Sequence, residues 1–232
     1  MDIGIIGSGQ IGGVLARRFR ALGHRVAIAN SRGPHSLTDF ADEVGAAAAT
    51  VREAVIGRDL VVVTIPMVSV AALPRDIFAG AGDAVVVDTC NYFPQQRDGR
   101  IGGIENGEHI AESVWVSQQI GRPVVKAFNT IGARFLMHDG APRGDLSRIA
   151  LPVAGDWLRD KTAVMGLTDD LGFDPVDAGS LAESWRQQPA SPCFVANLSF
   201  DRIGAALCAA TPDRPPHLAG TPQSPGDWDD PR

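Results

Sequence analysis

A glycine-rich turn near the start of the chain is the first segment whose residues could do chemistry. The segment Gly7-Ser8-Gly9-Gln10-Ile11-Gly12 follows an apolar run at residues 3–6 and precedes a stretch with helical periodicity. In a G-x-G-x-x-G pattern, one glycine allows a tight turn, one lets the backbone approach a pyrophosphate, and one packs the helix against the strand. The helix start would also present free N–H groups and a positive dipole end to the phosphates. The segment therefore predicts a dinucleotide site.

The end of the second predicted strand indicates which dinucleotide is bound. The strand RVAIA runs into Asn30-Ser31-Arg32, and the next carboxylate is Asp39. NAD sites usually place Asp or Glu at this point to accept a hydrogen bond from the ribose 2′-OH. A 2′-phosphate suits the present residues better, because Ser31 can donate one hydrogen bond and Arg32 can fork onto the phosphate. We therefore favour NADP(H), against the alternative that Arg32 is only a solvated surface residue.

Polar side chains also follow two later predicted strands. Asp88-Thr89-Cys90-Asn91 ends the strand at 84–88, and Phe128-Asn129-Thr130 follows the strand at 123–127. Ligands of open α/β sheets bind at the carboxyl ends of the strands, so we predict that Asn91 and Asn129 belong to the catalytic site. An amide donates and accepts hydrogen bonds but is not an acid at neutral pH. Asn129 would therefore orient an acceptor ring without transferring a proton to it.

Several side chains near these segments have two interpretations each. Asp88 either contacts a substrate or caps the loop after its strand, and capping is slightly favoured. Cys90 could be a nucleophile, but a buried structural thiol is favoured because no histidine lies near it in the sequence. Trp185 and Phe194 could form a wall over the nicotinamide, and packing in the core is favoured for both.

Short β-branched runs that alternate with amphipathic stretches position these segments. Strands are predicted at 3–6, 25–29, 60–65, 84–88 and 123–127, and helices at 10–22, 37–44, 50–56 and 108–116, with a polar surface loop at 94–107. Beyond them we predict a helix at 133–138, an extended segment at 148–154, a helix at 157–171 with Asp156 as its N-cap and Gly172 after its end, and a strand at 173–178.

This order predicts an α/β fold in which a Rossmann-type, doubly wound and mostly parallel sheet occupies residues 1–179. A small C-terminal helical lobe is expected over 180–210, with its helix broken at Pro189 and Pro192. The proline-rich tail over 211–232 is expected to lack regular structure and to form an arm or linker.

Composition excludes several classes of protein. The chain has 232 residues, of which 44% are hydrophobic, and its net charge of −6 argues against a nucleic-acid partner. No apolar run is long enough for a membrane span, and the first residues do not resemble a signal peptide. The cysteines Cys90, Cys193 and Cys208 form no CxxC pair, so neither disulfides nor a metal site are predicted. A cytoplasmic location fits these features.

The segments IGIIGSGQIGG, IANSRGP, VVTIP and VVKAFNTIGA, with PVAGD and VDAGSLAES further on, resemble the NADPH-dependent reductases grouped around the deazaflavin (coenzyme F420):NADP oxidoreductase. The resemblance spans about residues 1–186. KAFNTI is also similar to the cytosolic domain of six-transmembrane ferric reductases, where NADPH passes hydride to a flavin. Members of the family that use deazaflavin carry histidine where this chain has Asn129, and the likeness is poor beyond Trp185.

The resemblance implies a Rossmann-type domain with a small C-terminal lobe, often a dimer, and direct hydride transfer between two stacked rings. It assigns the contacts to NADP(H) to the glycine turn, to the residues around Arg32 and to three strand ends. Carried over by motif, the contacts are Gly7, Ser8, Gly9, Gln10, Ile11, Gly12, Ser31, Arg32, Ser36, Ile65, Pro66 and Ala127, with Phe128, Asn129 and Thr130 near the nicotinamide and the acceptor.

The expected function is hydride transfer between NADP(H) and a small acceptor, either a deazaflavin or flavin that acts as co-substrate or another organic molecule. Two alternatives stay open: an NADPH-dependent reductase of a C=N or activated C=C bond in specialised metabolism, and a non-catalytic NADP(H) sensor. The polar segments DTCN and FNT favour an enzyme, because a sensor needs only the nucleotide half. A homodimer is also expected, since the apolar Phe194, Leu198, Ile203 and Leu207 exceed what a lone terminal helix can expose.

The substitution Arg32→Ala tests the choice of cofactor. A charge-assisted contact to phosphate is worth about 1.5–3 kcal/mol, so affinity for NADPH should fall about 10- to 150-fold while affinity for NADH changes little. Fluorescence titration with both nucleotides measures the two affinities. Equal weakening of both would contradict recognition of the 2′-phosphate by Arg32.

Overall fold

The fold is described from a computed structural model, in which residues 1–74, 76–104 and 110–219 are placed. Its centre is a six-stranded sheet in the order β3-β2-β1-β4-β5-β6, in which every neighbouring pair is parallel. The strands are β1 (Asp2–Ile6), β2 (Arg25–Ala29), β3 (Ala47–Ala48), β4 (Leu60–Val63), β5 (Val85–Asp88) and β6 (Val125–Lys126). This arrangement confirms the predicted Rossmann-type sheet.

The sheet is apolar on both faces because helices or turns cover each face. Alternate residues of β4 belong to the apolar cores on opposite faces of the sheet. Leu60 and Val62 pack with helix α1 (Gln10–Ala21), whereas Val61 and Val63 pack with helix α4 (Glu112–Ile120). All four residues of β4 are fully buried. Parallel strands need this double cover, which is why they appear in the sequence as continuous apolar runs.

The remaining helices are α2 (Thr38–Val44), α3 (Met67–Val70), α5 (Ala133–His138), α6 (Leu158–Asp170) and α7 (Phe200–Cys208). In the part of the chain that the structure describes, no helix is long and apolar enough to cross a membrane.

Three helix predictions are wrong in detail. Residues 51–57 form successive turns, because the Val55 and Ile56 N–H groups share the Arg52 carbonyl and Gly57 follows with a φ of 67°. The helix predicted at 108–116 begins only at Glu112, since Ala111 has an extended ψ of 139°, and residues 108 and 109 lie outside the described residues. Asp156 does not cap α6; its carboxylate instead accepts a hydrogen bond from the Leu181 N–H at 2.8 Å.

A second, two-stranded parallel sheet follows the main one. It consists of β7 (Ala150–Val153) and β8 (Asp174–Asp177), connected by α6. An antiparallel bridge between Lys126 and Ala154 joins it to the end of β6, with N···O distances of 2.8 and 3.0 Å. The boundaries drawn at 179 and 210 stay predictions, although the first falls just after β8.

The C-terminal lobe is less helical than predicted. A 3-10 helix covers Leu181–Gln187, turns follow, and only then does α7 begin. The interruption has a backbone cause, because Ala190, Val195 and Asn197 adopt positive φ values that a helix does not contain. Ile203 and Leu207 are buried against Ala150 of β7, so they do not form the exposed patch expected of them.

The first part of the proline-rich tail, predicted to be an arm or linker without regular structure, contacts the main domain. Residues Pro216–Leu218 form a short 3-10 turn. The Gln95 amide donates hydrogen bonds to the carbonyls of Pro216 and Ala219 at 3.0 and 2.8 Å, and Arg214 pairs with Glu112 at 2.7 Å. The prediction for residues 220–232 lies outside the described residues.

Candidate nucleotide and acceptor site

The glycine turn between β1 and α1 has the geometry of a phosphate cradle. A Cβ on Gly7, whose φ is +118°, would lie 2.2 Å from the Thr64 carbonyl oxygen, and one on Gly12 would lie 2.0 Å from the Gly7 carbonyl oxygen. Neither position has room for a side chain, because the protein's own backbone occupies the space. A Cβ on Gly9, in contrast, would meet no atom within 4 Å. The turn is therefore packed against the protein at Gly7 and Gly12 and open at Gly9. This arrangement fits a pyrophosphate that approaches the backbone at the start of α1.

Asn30 organises the segment predicted to bind the 2′-phosphate, a role the sequence analysis missed. Its Nδ2 donates to Ser8 Oγ at 3.3 Å and to Ser36 Oγ at 3.0 Å, and its Oδ1 accepts from the Arg32 N–H at 2.9 Å. The side chains of Ser31, Arg32 and Ser36 are exposed around it. The Asn30 amide thus connects Ser8 of the glycine turn to Arg32 and Ser36, two of the residues predicted to hold the phosphate.

A cleft of about 370 Å³ extends from the glycine turn along the carboxyl ends of the strands. Residues 9–11, 64–66 and 89–91 line it, together with Phe93 and Arg97. It brings together the predicted Gly9, Gln10, Ile11, Ile65, Pro66 and Asn91. Ala127, Phe128 and Asn129 do not line this cleft; they are buried at the adjoining end of β6.

Asn91 and Asn129 are close together, as predicted, but they bind each other. Asn129 Nδ2 donates to Asn91 Oδ1 at 3.0 Å and to the Gln187 carbonyl at 2.6 Å, and Asn91 Nδ2 donates to the Asn129 carbonyl at 3.0 Å. Both amide hydrogens of Asn129 are therefore used, and only 4% of the residue is exposed. The geometry gives Asn129 a positioning role behind the half-buried Asn91, which lines the cleft.

Gln187 completes this network and was not anticipated. Its Nε2 donates to Asn129 Oδ1 at 2.9 Å and to the Pro152 carbonyl at 3.2 Å. The 3-10 helix of the C-terminal lobe is thereby attached to the ends of β6 and β7. No local pattern could identify Gln187, because it lies 58 positions from Asn129 in the chain.

A buried group of charged side chains supports the cleft from below. The Asp88 carboxylate accepts hydrogen bonds from Ser113 Oγ at 2.6 Å, the Cys90 N–H at 2.8 Å and Lys126 Nζ at 3.3 Å. The bond from Cys90 confirms the favoured interpretation of Asp88 as a cap of the loop. Burial and the adjacent Asp88 carboxylate raise the pKa of the Cys90 thiol well above its usual value, which agrees with a structural thiol and not a nucleophile.

Neither of the two aromatic side chains considered for the nicotinamide wall lines the nucleotide cleft. Trp185 lines a second cleft of about 380 Å³ between the 3-10 helix and the attached tail. Phe194 packs against Phe93, with ring centroids 6.4 Å apart, so it supports the wall of the nucleotide cleft from behind. Within the described ranges, no three His, Cys, Asp or Glu side chains are grouped so that they could hold a metal ion.

Comparison with known proteins identifies the family. The family model "NADP oxidoreductase coenzyme F420-dependent" matches residues 2–92. A hypothetical protein of Sinorhizobium meliloti, of known crystal structure, is 33% identical; the match covers 86% of this chain and 96% of that one, with a TM-score of 0.69. The chain belongs to the coenzyme F420-dependent NADP oxidoreductase family. This membership, together with the open cradle, supports NADP-linked oxidoreductase activity.

Two further relatives extend the comparison. A protein of Arthrobacter sp. FB24, provisionally assigned as an F420-dependent NADP reductase, has a TM-score of 0.64 at 23% identity over 79% of this chain and 87% of its own. That likeness shows the fold. The Escherichia coli K12 protein YjhV is 49% identical over 57 residues, which are 25% of this chain and 42% of that protein. The match thus spans less than half of the curated relative.

Substitutions at two glycines of the turn should have opposite effects. Gly9→Val should abolish binding of NADPH and NADH and leave the thermal unfolding midpoint nearly unchanged, because the added methyl groups enter only the open space. Gly12→Val should lower the free energy of unfolding by about 1–3 kcal/mol or more, since the new Cβ would collide with backbone. Nucleotide titration and circular dichroism measure the two effects. Normal NADPH affinity in folded Gly9→Val protein would show that the cradle lies elsewhere.

Loss of the Asn129 amide should affect turnover more than cofactor binding. Asn129→Ala should lower kcat by about 10-fold or more, because Asn91 and Gln187 lose their common partner and the cleft wall shifts. NADPH affinity should change little, and no new ionisation should appear in the pH–rate profile. Thr168→Val is the matched control, since it removes a buried hydrogen bond to the Val164 carbonyl remote from the cleft. A kcat effect no larger than that of the control would assign Asn129 a purely structural role.

Proposed function

We propose that the protein transfers hydride between NADP(H) and a planar acceptor, a deazaflavin or flavin used as co-substrate or another small organic molecule of that kind. The observation that carries the proposal is the cleft itself. It runs without interruption from the glycine turn to Asn91, Phe93 and Arg97, so a nucleotide and a second ring have adjoining places along it. When bound, NADPH would supply the hydride.

The groups that line the cleft favour orientation over proton transfer. Cys90 and Arg97 are the titratable side chains among the described lining residues. Burial raises the pKa of Cys90 well above its usual value, and an arginine stays protonated, so neither is a general acid near neutral pH. Hydride transfer between nicotinamide and a flavin-like ring needs geometry more than a proton donor. Reduction of an imine would need a proton from water or an imine that arrives protonated.

Different residues of the protein would bind the different parts of the nucleotide and form the two sides of the cleft. The turn at Gly9 and the start of α1 hold the pyrophosphate, while Ser31, Arg32 and Ser36, arranged by Asn30, hold the 2′-phosphate. Ile65 and Pro66 form the apolar side of the cleft, and Asn91, fixed by Asn129 and Gln187, forms its polar side. A non-catalytic sensor would not need this fixed polar wall.

Assembly and location stay predictions from the sequence. A homodimer is supported by exposed apolar side chains beside α7, where Phe200 is 63% and Leu146 is 95% exposed. The expectation of a dimer therefore rests on Phe200 and Leu146, because Ile203 and Leu207, on which it was first based, are buried.

A panel of acceptors tests the proposed function. Purified protein with NADPH should reduce coenzyme F420 or a free flavin, followed as loss of NADPH absorbance, and should act poorly on imines and enones. The rate at saturation should be flat between about pH 6 and 8, because burial raises the pKa of the Cys90 thiol well above that range. Gly9→Val serves as the inactive control. Faster reduction of an imine than of any flavin would favour the C=N alternative, and NADPH binding without oxidation of any acceptor would favour the sensor.

A further inference from the structure

Arg97 is a cationic side chain on the cleft wall that neither the glycine turn nor the asparagine network explains. It belongs to the helical turn Pro94–Asp98, in a segment where the sequence predicted only a surface loop. The turn forms because the Asp98 carboxylate faces inward and accepts the Phe93 and Val68 N–H groups at 2.8 and 3.3 Å. Arg97 is thereby directed into the cleft from a fixed backbone.

The guanidinium is held rigidly on one edge. Its Nε and Nη2 both lie 3.1 Å from the Asp98 carboxylate oxygens, Nη2 also donates to the Asn91 carbonyl at 2.5 Å, and the group lies 5.4 Å from the centre of the Phe93 ring. Among the described residues no partner is found for Nη1. The Asp98 side chain is fully buried, whereas 27% of the Arg97 side chain is exposed. The free edge of the guanidinium thus faces the cleft, with its position determined by three acceptors.

The place of Arg97 in the sheet indicates which part of a ligand it meets. The glycine turn follows β1 and the 2′-phosphate segment follows β2, whereas Arg97 and Asn91 follow β5. In doubly wound sheets the nucleotide crosses the strand ends from one half to the other, with its pyrophosphate at the first turn. The start of α1 is already assigned to the pyrophosphate, so Arg97 lies at the other end of the cleft, beside the place proposed for the second ring.

We propose that Arg97 binds an anionic group of the acceptor, a phosphate or a carboxylate, and thereby selects charged acceptors over neutral ones. The inference rests on the proposed function only in that a second ligand occupies the cleft beside NADP(H). An arginine with one edge fixed loses little rotational freedom when its other edge binds an oxyanion. The Phe93 ring, which also lines the cleft, packs against the guanidinium and further restricts its movement.

Binding to the protein loaded with NADP⁺ tests this inference without turnover. Calorimetric titration compares two pairs of probes that share a ring and differ in charge: FMN with riboflavin, and coenzyme F420 with its deazaflavin chromophore lacking the phosphate-bearing side chain. In the wild-type protein the charged member of a pair should bind about 10-fold or more tightly than the neutral one. Arg97→Met should remove that difference without changing the affinity of the neutral probe or of NADP⁺.

Three further variants keep the test decisive. Arg97→Met combined with Asp98→Asn removes the unpaired buried carboxylate, so the preference can be measured even if the single variant fails to fold. Arg97→Lys should retain part of the preference, because it keeps the charge but not the fork. Arg159→Met, at an exposed position on α6, controls for the loss of one positive charge and should leave the preference intact.

Several results would overturn the inference. One is equal binding of charged and neutral probes by the wild-type protein, and another is no binding of either charged probe. A third is a loss of NADP⁺ affinity in the Arg97 variants as large as their loss of affinity for the charged probes, which would make Arg97 a cofactor ligand. Failure of the proposed function looks different. In that case no acceptor is reduced, yet a charge preference that depends on Arg97 would still be measured by titration.

Discussion

The site depends on one buried pair of opposite charges at the ends of β5 and β6. Lys126 and Asp88 are both fully buried, and their charged atoms lie 3.3 Å apart. Such a pair is tolerated only when further hydrogen bonds satisfy each ion, and removing one partner typically costs about 3–5 kcal/mol. Here Asp88 also receives Ser113 and the Cys90 N–H, while Lys126 reaches the Cys90 carbonyl. The pair therefore fixes the loop after β5, helix α4 and the end of β6 relative to one another.

The polar wall of the cleft is built on that fixed base. Two residues after Lys126, Phe128 has a φ of 58°, which is uncommon for a residue with a side chain, and the backbone turns there so that Asn129 faces Asn91. The backbone of Lys126 also bridges to Ala154, and its carbonyl accepts from Gln187 at 3.5 Å. One lysine thus joins the main sheet, the second sheet and the C-terminal lobe, and this connection fixes Asn129 and Gln187 behind the cleft wall at Asn91.

The sequence predicts those features whose causes are local. The turn from Gly7 to Gly12, the apolar strands and the Asn30-Ser31-Arg32 segment are each determined by neighbours within a few positions. The helix predicted at 50–56 is wrong because turns whose N–H groups share the Arg52 carbonyl bury Ala54 and Val55, and the spacing of apolar residues does not distinguish such turns from a helix. Gln187 and the bond between Arg214 and Glu112 could not be predicted, since each joins residues that only the finished fold brings together. Asn30 could have been found, because its short polar side chain directly precedes the predicted ligands Ser31 and Arg32 at the end of β2.

The contact between Glu112 and Arg214 has a consequence for the order in which the protein matures. Glu112 is fully buried at the start of α4, and burial raises the pKa of its carboxyl group, with Lys126 and Arg214 opposing that rise. Its partner Arg214 lies 102 positions later in the chain. During synthesis the strands and the glycine turn leave the ribosome first, and domains generally begin to fold in that order. Until the tail segment emerges, the Tyr92 N–H and the charge of Lys126 stabilise the Glu112 carboxylate without Arg214, so the last of its partners is added only after translation of residue 214 and not with the completion of the sheet.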